Sequence, residues 1–335
     1  MRCNGAPGTI LFCARMAADT YNARCVTLSC RDALPHTDCR AIPSPGQFVL
    51  RACASPYPAY PAVLLSFRRS PLPAPQWRYA CVQRTDPGLV RANNEDAVHA
   101  GACGDWSVAV LADGMGGYRA GEVASALAVQ CIVQCLQHSA MQLPPQTLPA
   151  RMAAVHRALE HCVHKSNAAV LAHADRHAEC AGMGTTVVAA VFTQDRLVVA
   201  HLGDSRAYLW RRGTLRQLTR DHSWLQEQMD AGLLTAEAAA RSGQGHLITR
   251  ALGVAVRAQP TLHEEPLEAG DRVLLCSDGL SDMLDAPEIA TLLALPQPLS
   301  LQADQLIAQA NAMGGNDNIS VILVAVEPAP DICEG

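Results

Sequence analysis

Lysine is almost missing from this 335-residue chain: Lys165 is the only one, against 25 arginines. With so much alanine, this reads as coding bias from a GC-rich genome rather than as a binding signal. Aromatic residues are also scarce, at 4%, so a core must come mainly from Ala, Val and Leu. No unbroken apolar run approaches the ~18–20 residues of a membrane span. The first residues lack a secretory layout, because Ile10-Leu11-Phe12 is too short for an apolar signal core. These absences lead us to expect a soluble, cytoplasmic protein without membrane contact.

Cysteine is the exception to this scarcity, with 14 residues. Six of them (Cys3, Cys13, Cys25, Cys30, Cys39 and Cys53) fall in the first 53 positions without one Cys-x-x-Cys pair, which gives little support to a zinc site. The others lie mostly inside apolar patterns, as at Cys131, Cys135 and Cys276. Without a secretion signal, all are expected to be reduced thiols acting as small hydrophobes.

The net charge of −5 hides an asymmetry. Residues 1–75 carry eight arginines against Asp19, Asp32 and Asp38, and everything acidic in excess lies beyond them. A mildly acidic body argues against nucleic acid as a partner. Residues 1–75 show no sustained period, and eight prolines between Pro43 and Pro75 punctuate them. A disordered tail is expected there, and upstream sequence translated from too early a start is the other reading. Residues 76–328 form the expected domain, and 329–335 a short tail.

From Trp77 onward the periodicities are clear. Trp77–Arg84, Asp96–Ala102 and Trp106–Ala112 read as strands, and Glu122–Leu136 and Leu148–Ala174 as helices. Strands follow at Thr185–Thr193, Arg196–His201 and Arg206–Arg211, with Gly203-Asp204-Ser205 expected as a tight turn between the last two. Leu218–Gly245 is polar and helix-prone, a surface excursion. Strands at Gln259–Glu264 and Arg272–Ser277, helices at Pro287–Leu295 and Leu301–Ala312, and a closing strand at Ile319–Val326 complete the domain. Strand runs separated by helix pairs imply α+β layering rather than βαβ alternation.

The chemistry concentrates at strand ends. Val108–Gly117 is an apolar run that stops at Asp113 and continues in glycines; Arg272–Ser277 does the same at Asp278-Gly279. Singly, an Asp-Gly is more often a turn. Here Glu95-Asp96, Asp113, Asp278 and Asp317 all sit at strand or turn ends, with Asp204 as a further contributor. Hard cations such as Mg²⁺ and Mn²⁺ take such oxygens, and a bridging carboxylate can hold two ions about 4 Å apart with a water between them. Arg91 offers a planar fork for a phosphate dianion; its plainer reading is an ion pair with Glu95 at i,i+4.

Nine segments together resemble the metal-dependent serine/threonine protein phosphatases of the PPM type (type 2C), in their bacterial single-domain form. They are Gly88-Leu-Val-Arg-Ala-Asn-Asn-Glu-Asp96, Ala112-Asp-Gly-Met-Gly-Gly117, Ala120-Gly-Glu-Val-Ala-Ser125, Gly182-Met-Gly-Thr-Thr186, His201-Leu-Gly-Asp-Ser-Arg206, Leu218-Thr-Arg-Asp-His222, Ile248-Thr-Arg-Ala-Leu-Gly253, Leu275-Cys-Ser-Asp-Gly-Leu280 and Asn316-Asp-Asn-Ile-Ser-Val321. The resemblance implies a four-layer αββα sandwich, two antiparallel β-sheets flanked by helix pairs, with the site at one end of the strands. It implies two Mn²⁺ or Mg²⁺ ions bridged by Asp113. The Gly114 carbonyl completes one ion, Asp278 and Asp317 hold the other, and Glu95 and Asp96 act through water. A third, weaker ion falls to Asp204 and Asp278, and Arg91 takes the substrate phosphate. Residues 218–245 become the flap beside the site.

The activity so implied is hydrolysis of phosphoserine and phosphothreonine in proteins by a bridging water, in a monomer that opposes a cognate serine/threonine kinase. The alternatives are a catalytically silent phosphoprotein-binding relative and a small-phosphoester hydrolase. The chain departs from the pattern at the proton source. Met115 and Tyr118 stand where relatives carry a histidine; a metal-bound water is then the expected proton source, with His222 and His246, in or beside the flap, as the lesser candidates. His246 also replaces the asparagine usual in the flap motif.

Overall fold

The computed structural model describes residues 77–116, 120–142, 147–242 and 247–329, and before them only four strand segments. The chain divides into two units, residues 1–71 and 72–335. In the first, β1 (Thr9–Phe12) pairs with β2 (Val26–Ser29), and β3 (Cys39–Ser44) with β4 (Gln47–Ala52), both antiparallel. The expectation of a tail without regular structure is corrected at these four places, where short runs of apolar and β-branched residues favour extended pairing. Elsewhere that expectation, and the C-terminal tail from residue 330 on, lie outside the described residues.

Two antiparallel sheets build the second unit. One contains β6 (Asp96–Cys103), β7 (Trp106–Met115), β8 (Gly184–Thr185), β9 (Val187–Thr193), β10 (Arg196–Leu202) and β13 (Thr261–Pro266), in the order β13-β10-β9-β7-β6 with β8 beside β7. The other contains β5 (Trp77–Asp86), β11 (Arg206–Arg211), β12 (Thr214–Gln217), β14 (Arg272–Cys276) and β15 (Ile319–Pro328), in the order β12-β11-β14-β15-β5. Helices α1 (Ala120–Gln142) and α2 (Leu148–Arg176) pack on the first sheet. Past the short α3 (Trp224–Asp230), α4 (Ala236–Ala240) and α5 (Asp278–Ser281), helices α6 (Ala286–Ala294) and α7 (Leu299–Ala312) pack on the second.

The central strands are buried on both faces, so their alternation is apolar against apolar. Val108, Val110 and Ala112 of β7 face the helices, whereas Ala109 and Leu111 meet the other sheet. In β14, Val273 and Leu275 face between the sheets, and Leu274 and Cys276 face α6 and α7. The four expected layers are therefore present.

Three details differ from expectation. Gly203-Asp204-Ser205 joins no hairpin: β10 pairs with β9 and β13, β11 with β12 and β14, and the turn carries the chain from one sheet to the other. Both strands have neighbours on each side already, and Gly203, at φ +100 with Thr186 where a Cβ would sit, makes the step. Cys135 and Cys162 are joined by a disulfide between α1 and α2 instead of remaining thiols, because the packed helices bring their Cα atoms to 5.5 Å. Finally, α1 is long and apolar enough to cross a membrane by length and composition. Its apolar residues Ala124, Ala128, Ile132 and Leu136 are instead buried in the core.

Candidate metal and phosphate site

Antiparallel pairing gathers the acidic residues. Asp113 lies near the end of β7, two residues before Met115, and Asp96 begins β6; the two are register partners. Asp278 follows β14 after the single residue Ser277, while Asp317 leads into β15, paired with β14 from Cys276↔Val321 onward. Leaving one strand and entering its antiparallel neighbour happen at the same sheet edge. Asp204, after β10, reaches that edge too, because Leu202 pairs with Val187 and Leu111 with Val188.

The backbone around Asp113 is clamped. Its N–H donates to Thr186 Oγ1 at 3.0 Å, and its carbonyl accepts from Thr186 N–H and Thr185 Oγ1, both at 2.8 Å. Gly114 has no room for a side chain: a Cβ would come within 2.1 Å of the Gly121 carbonyl. Gly121 in turn leaves space for Glu95, whose carboxylate carbon would sit 2.8 Å from a Cβ there.

The electrostatics of the cluster are those of crowded, buried carboxylates. Burial pushes Asp96 up to about 7, against hydrogen bonds from Ser320 and Ser277 and with Asp278 and Asp317 adding to the rise. Burial, then Asp278 and Asp221, push Asp204 up to about 7. Asp113 is raised well above the carboxylate range by burial, then by Asp96, Asp278 and Asp204. Burial also raises Glu95, against the pull of Arg91. Asp96 Oδ1 and Asp204 Oδ1 are buried and accept no hydrogen bond. Oxygens that lack donors and carboxylates that repel one another are a donor set suited to hard divalent cations. Among the described residues, no group of three or more Asp, Glu, His or Cys side chains is arranged so that it could by itself hold a metal ion. Ions held here would complete their shells with carbonyl and water oxygens, as Mg²⁺ usually does.

A cavity of about 790 Å³ opens onto this edge, lined by Asp204, Asp278, Asp317 and Arg91, by the Arg206–Asp221 pair, and by Leu225, Gln226 and Met229 of the flap. Arg91 does not pair with Glu95. Its Nη2 reaches Asp317 Oδ2 at 2.6 Å, and its side chain is half exposed. Within 218–245 the flap is helical, as expected: α3 is capped by Ser223 and α4 by Thr235. Sequence reasoning assigned no role to Asn318, Ser277 or the Arg206–Asp221 pair. The first two adjoin Asp317 and Asp278 inside quoted motifs, but no local pattern discloses what they bond.

The surroundings of His222 give no support to its candidacy as a proton donor. It is buried, stacked on His201 at 4.6 Å between ring centroids. Nδ1 accepts from Gly203 N–H at 3.2 Å, so the ring proton sits on Nε2, 3.0 Å from Thr261 Oγ1. Burial, then His201 and Arg250, push it down to about 3, so it is neutral and fully engaged at physiological pH. We expect His222→Ala to lower stability by about 1–3 kcal/mol and to leave the alkaline limb of the pH–rate profile, the one a proton donor would set, in place. Denaturant melts and rate profiles check this, and a moved limb would restore the donor role. His246 and Tyr118 lie outside the described residues.

A family model described as Protein phosphatase 2C matches residues 90–311. The chain is 43% identical over 249 residues to the serine/threonine protein phosphatase PstP of Mycobacterium tuberculosis, covering 74% of this chain and 45% of that protein. It thus spans about half the length of that relative. It is 36% identical over 242 residues to the serine/threonine phosphatase stp of Listeria monocytogenes, covering 72% of this chain and 93% of that one. Among solved structures it is similar to the S. agalactiae serine/threonine phosphatase (TM-score 0.67, 35% identity, 75% of this chain, all of that one). It is also similar to the PstP catalytic domain in complex with two manganese ions (TM-score 0.62, 41% identity, 75% of this chain, 98% of that one).

Proposed function

Since the chain belongs to the protein phosphatase 2C family, we propose that it hydrolyses phosphoserine and phosphothreonine in proteins, with two Mn²⁺ or Mg²⁺ ions at the carboxylate edge, and so reverses the work of a serine/threonine kinase. The observation that carries this reading is the convergence of Asp113, Asp96, Asp278 and Asp204 on one another, with Asp96 Oδ1 and Asp204 Oδ1 buried and lacking donors. Asp113 would lie between the two ions with the Gly114 carbonyl beside it, Asp278 and Asp317 would hold one ion, and Glu95 and Asp96 would hold waters. Asp204 would serve a third ion. Bound there, the cations would supply an acidified bridging water and neutralise charge on the phosphoryl oxygens. Arg91, over Asp317 at the cavity mouth, would orient the phosphate for in-line attack. The cavity, far larger than a phosphate, has room for residues flanking the phosphorylated one.

With Met115 after Gly114 and His222 buried and neutral, no histidine among the described residues at the site is placed to protonate the departing alkoxide, which would leave a metal-bound water as its proton source. A phenolate leaves without that help. In manganese, kcat for p-nitrophenyl phosphate should exceed kcat for a phosphothreonine peptide by about 10²-fold, and EDTA should abolish both. Equal values would mean that an efficient donor is present. No metal-dependent turnover of either substrate would remove the proposed activity and leave the fold as a phosphoprotein-binding module.

A further inference from the structure

Asn318 is buried, 5% exposed, one residue past Asp317 at the entry to β15. All three hydrogen bonds of its side-chain amide go to one irregular segment more than 220 residues away in sequence. Oδ1 accepts from Glu95 N–H at 2.8 Å, and Nδ2 donates to Pro87 O at 3.0 Å and to Asn93 O at 2.9 Å. Two carbonyls and one N–H as partners fix the orientation of the amide, and no other side chain has this pattern at this length. The Asn318 main chain is equally tied. Its N–H donates to Asp317 Oδ1 at 2.8 Å, and its carbonyl accepts from Ser277 Oγ at 3.3 Å. It also packs against Gly279, where a Cβ would approach to 2.1 Å.

The 87–95 loop has no strand or helix ladder of its own, yet it carries Arg91 and Glu95. Both of its ends close on a single side chain that belongs to the Asp317 turn. We propose that Asn318 is a positioning residue: it locks the 87–95 loop onto the turn bearing Asp317, which sets Arg91 where a phosphate binds and Glu95 against the carboxylate edge. What Arg91 meets there rests on the phosphatase reading; the locking itself does not.

The test uses the full chain as Asn318→Ala, Asn318→Asp, Arg91→Ala and the Asn318→Ala/Arg91→Ala double variant. Without metal, amide hydrogen exchange over 88–95 should accelerate by about tenfold or more in Asn318→Ala, while β9 and β10 keep their rates. Asn318→Asp should be at least as severe, because it turns an oxygen towards the carbonyls of Pro87 and Asn93. With manganese, KM for p-nitrophenyl phosphate should rise about tenfold in Asn318→Ala with kcat changed far less. In the Arg91→Ala background the same substitution should add less than about twofold. Should Asn318→Ala fail to fold, Asn318→Ser takes its place. Unchanged exchange over 88–95, or KM effects that multiply, would overturn the proposal. If the unmodified chain shows no turnover, the phosphatase reading falls alone, and the exchange data still decide the locking.

Discussion

Asp113→Asn should lower manganese-dependent kcat by at least about 10³-fold, a loss of about 4 kcal/mol in transition-state stabilisation, and should make the metal-free protein harder to unfold. The asparagine is nearly isosteric, and the clamps on Asp113 are all to its backbone, from Thr185 and Thr186. Geometry therefore survives and charge does not. The loss of activity follows because Asp113 lies among Asp96, Asp278 and Asp204, the position shared between the proposed ions. The gain in stability follows because the same neighbours repel it when no cation is present. Assays with manganese and thermal melts in EDTA measure the two halves. Near-normal metal-dependent turnover would overturn the assignment of the site, and a less stable metal-free variant would show that repulsion is not what the carboxylates feel.

Stripping the metals should leave a protein whose stability falls as pH rises from about 4 to beyond 7. Asp96 and Asp204 titrate near 7 in the folded chain, against about 3.9 unfolded. The native state therefore binds their protons more tightly. That contribution is fully present below about pH 4 and is lost as pH climbs through 7. With full burial the cost approaches about 4 kcal/mol for each group, an upper bound before relaxation and water entry, so a fall of several degrees in Tm is expected. Manganese takes the place of those protons, so its stabilisation should be larger at pH 8 than at pH 5 and accompanied by proton release. Thermal melts across pH, with and without manganese, are compared with an Asp96→Asn/Asp204→Asn variant, which should lose most of the pH dependence. A metal-free profile identical in the two proteins would remove these carboxylates as its cause.

Strands such as Val187–Thr193 and Arg272–Cys276 were legible because burial on both faces demands an uninterrupted apolar run. The helix pairs were legible from their 3.6-residue period. β12 was missed: Thr214–Gln217 is a mostly exposed edge strand with one partner, so nothing in Thr-Leu-Arg-Gln marks it as a strand. The one-turn helix α5 was hidden by the Asp-Gly that starts it. At the site, the acidic strand ends were visible because each is a local event, an apolar run stopping at a carboxylate. The engagement of Arg91 by Asp317 was not, and neither was the inert state of His222, since both depend on partners far away in sequence.

The order of residues alone determined the layers and the elements that compose them, together with the carboxylates delivered to strand ends, because period and chain termination are properties of contiguous residues. The tertiary structure alone decided which sheet each strand joins and which side chains are spent on structure. It also decided that Asn318 closes the Arg91 loop. Those outcomes are hydrogen bonds and burial between segments far apart in sequence, 231 residues from Asn318 to Pro87, and such pairings carry no local signature because each forms only once the sheets have brought its partners together.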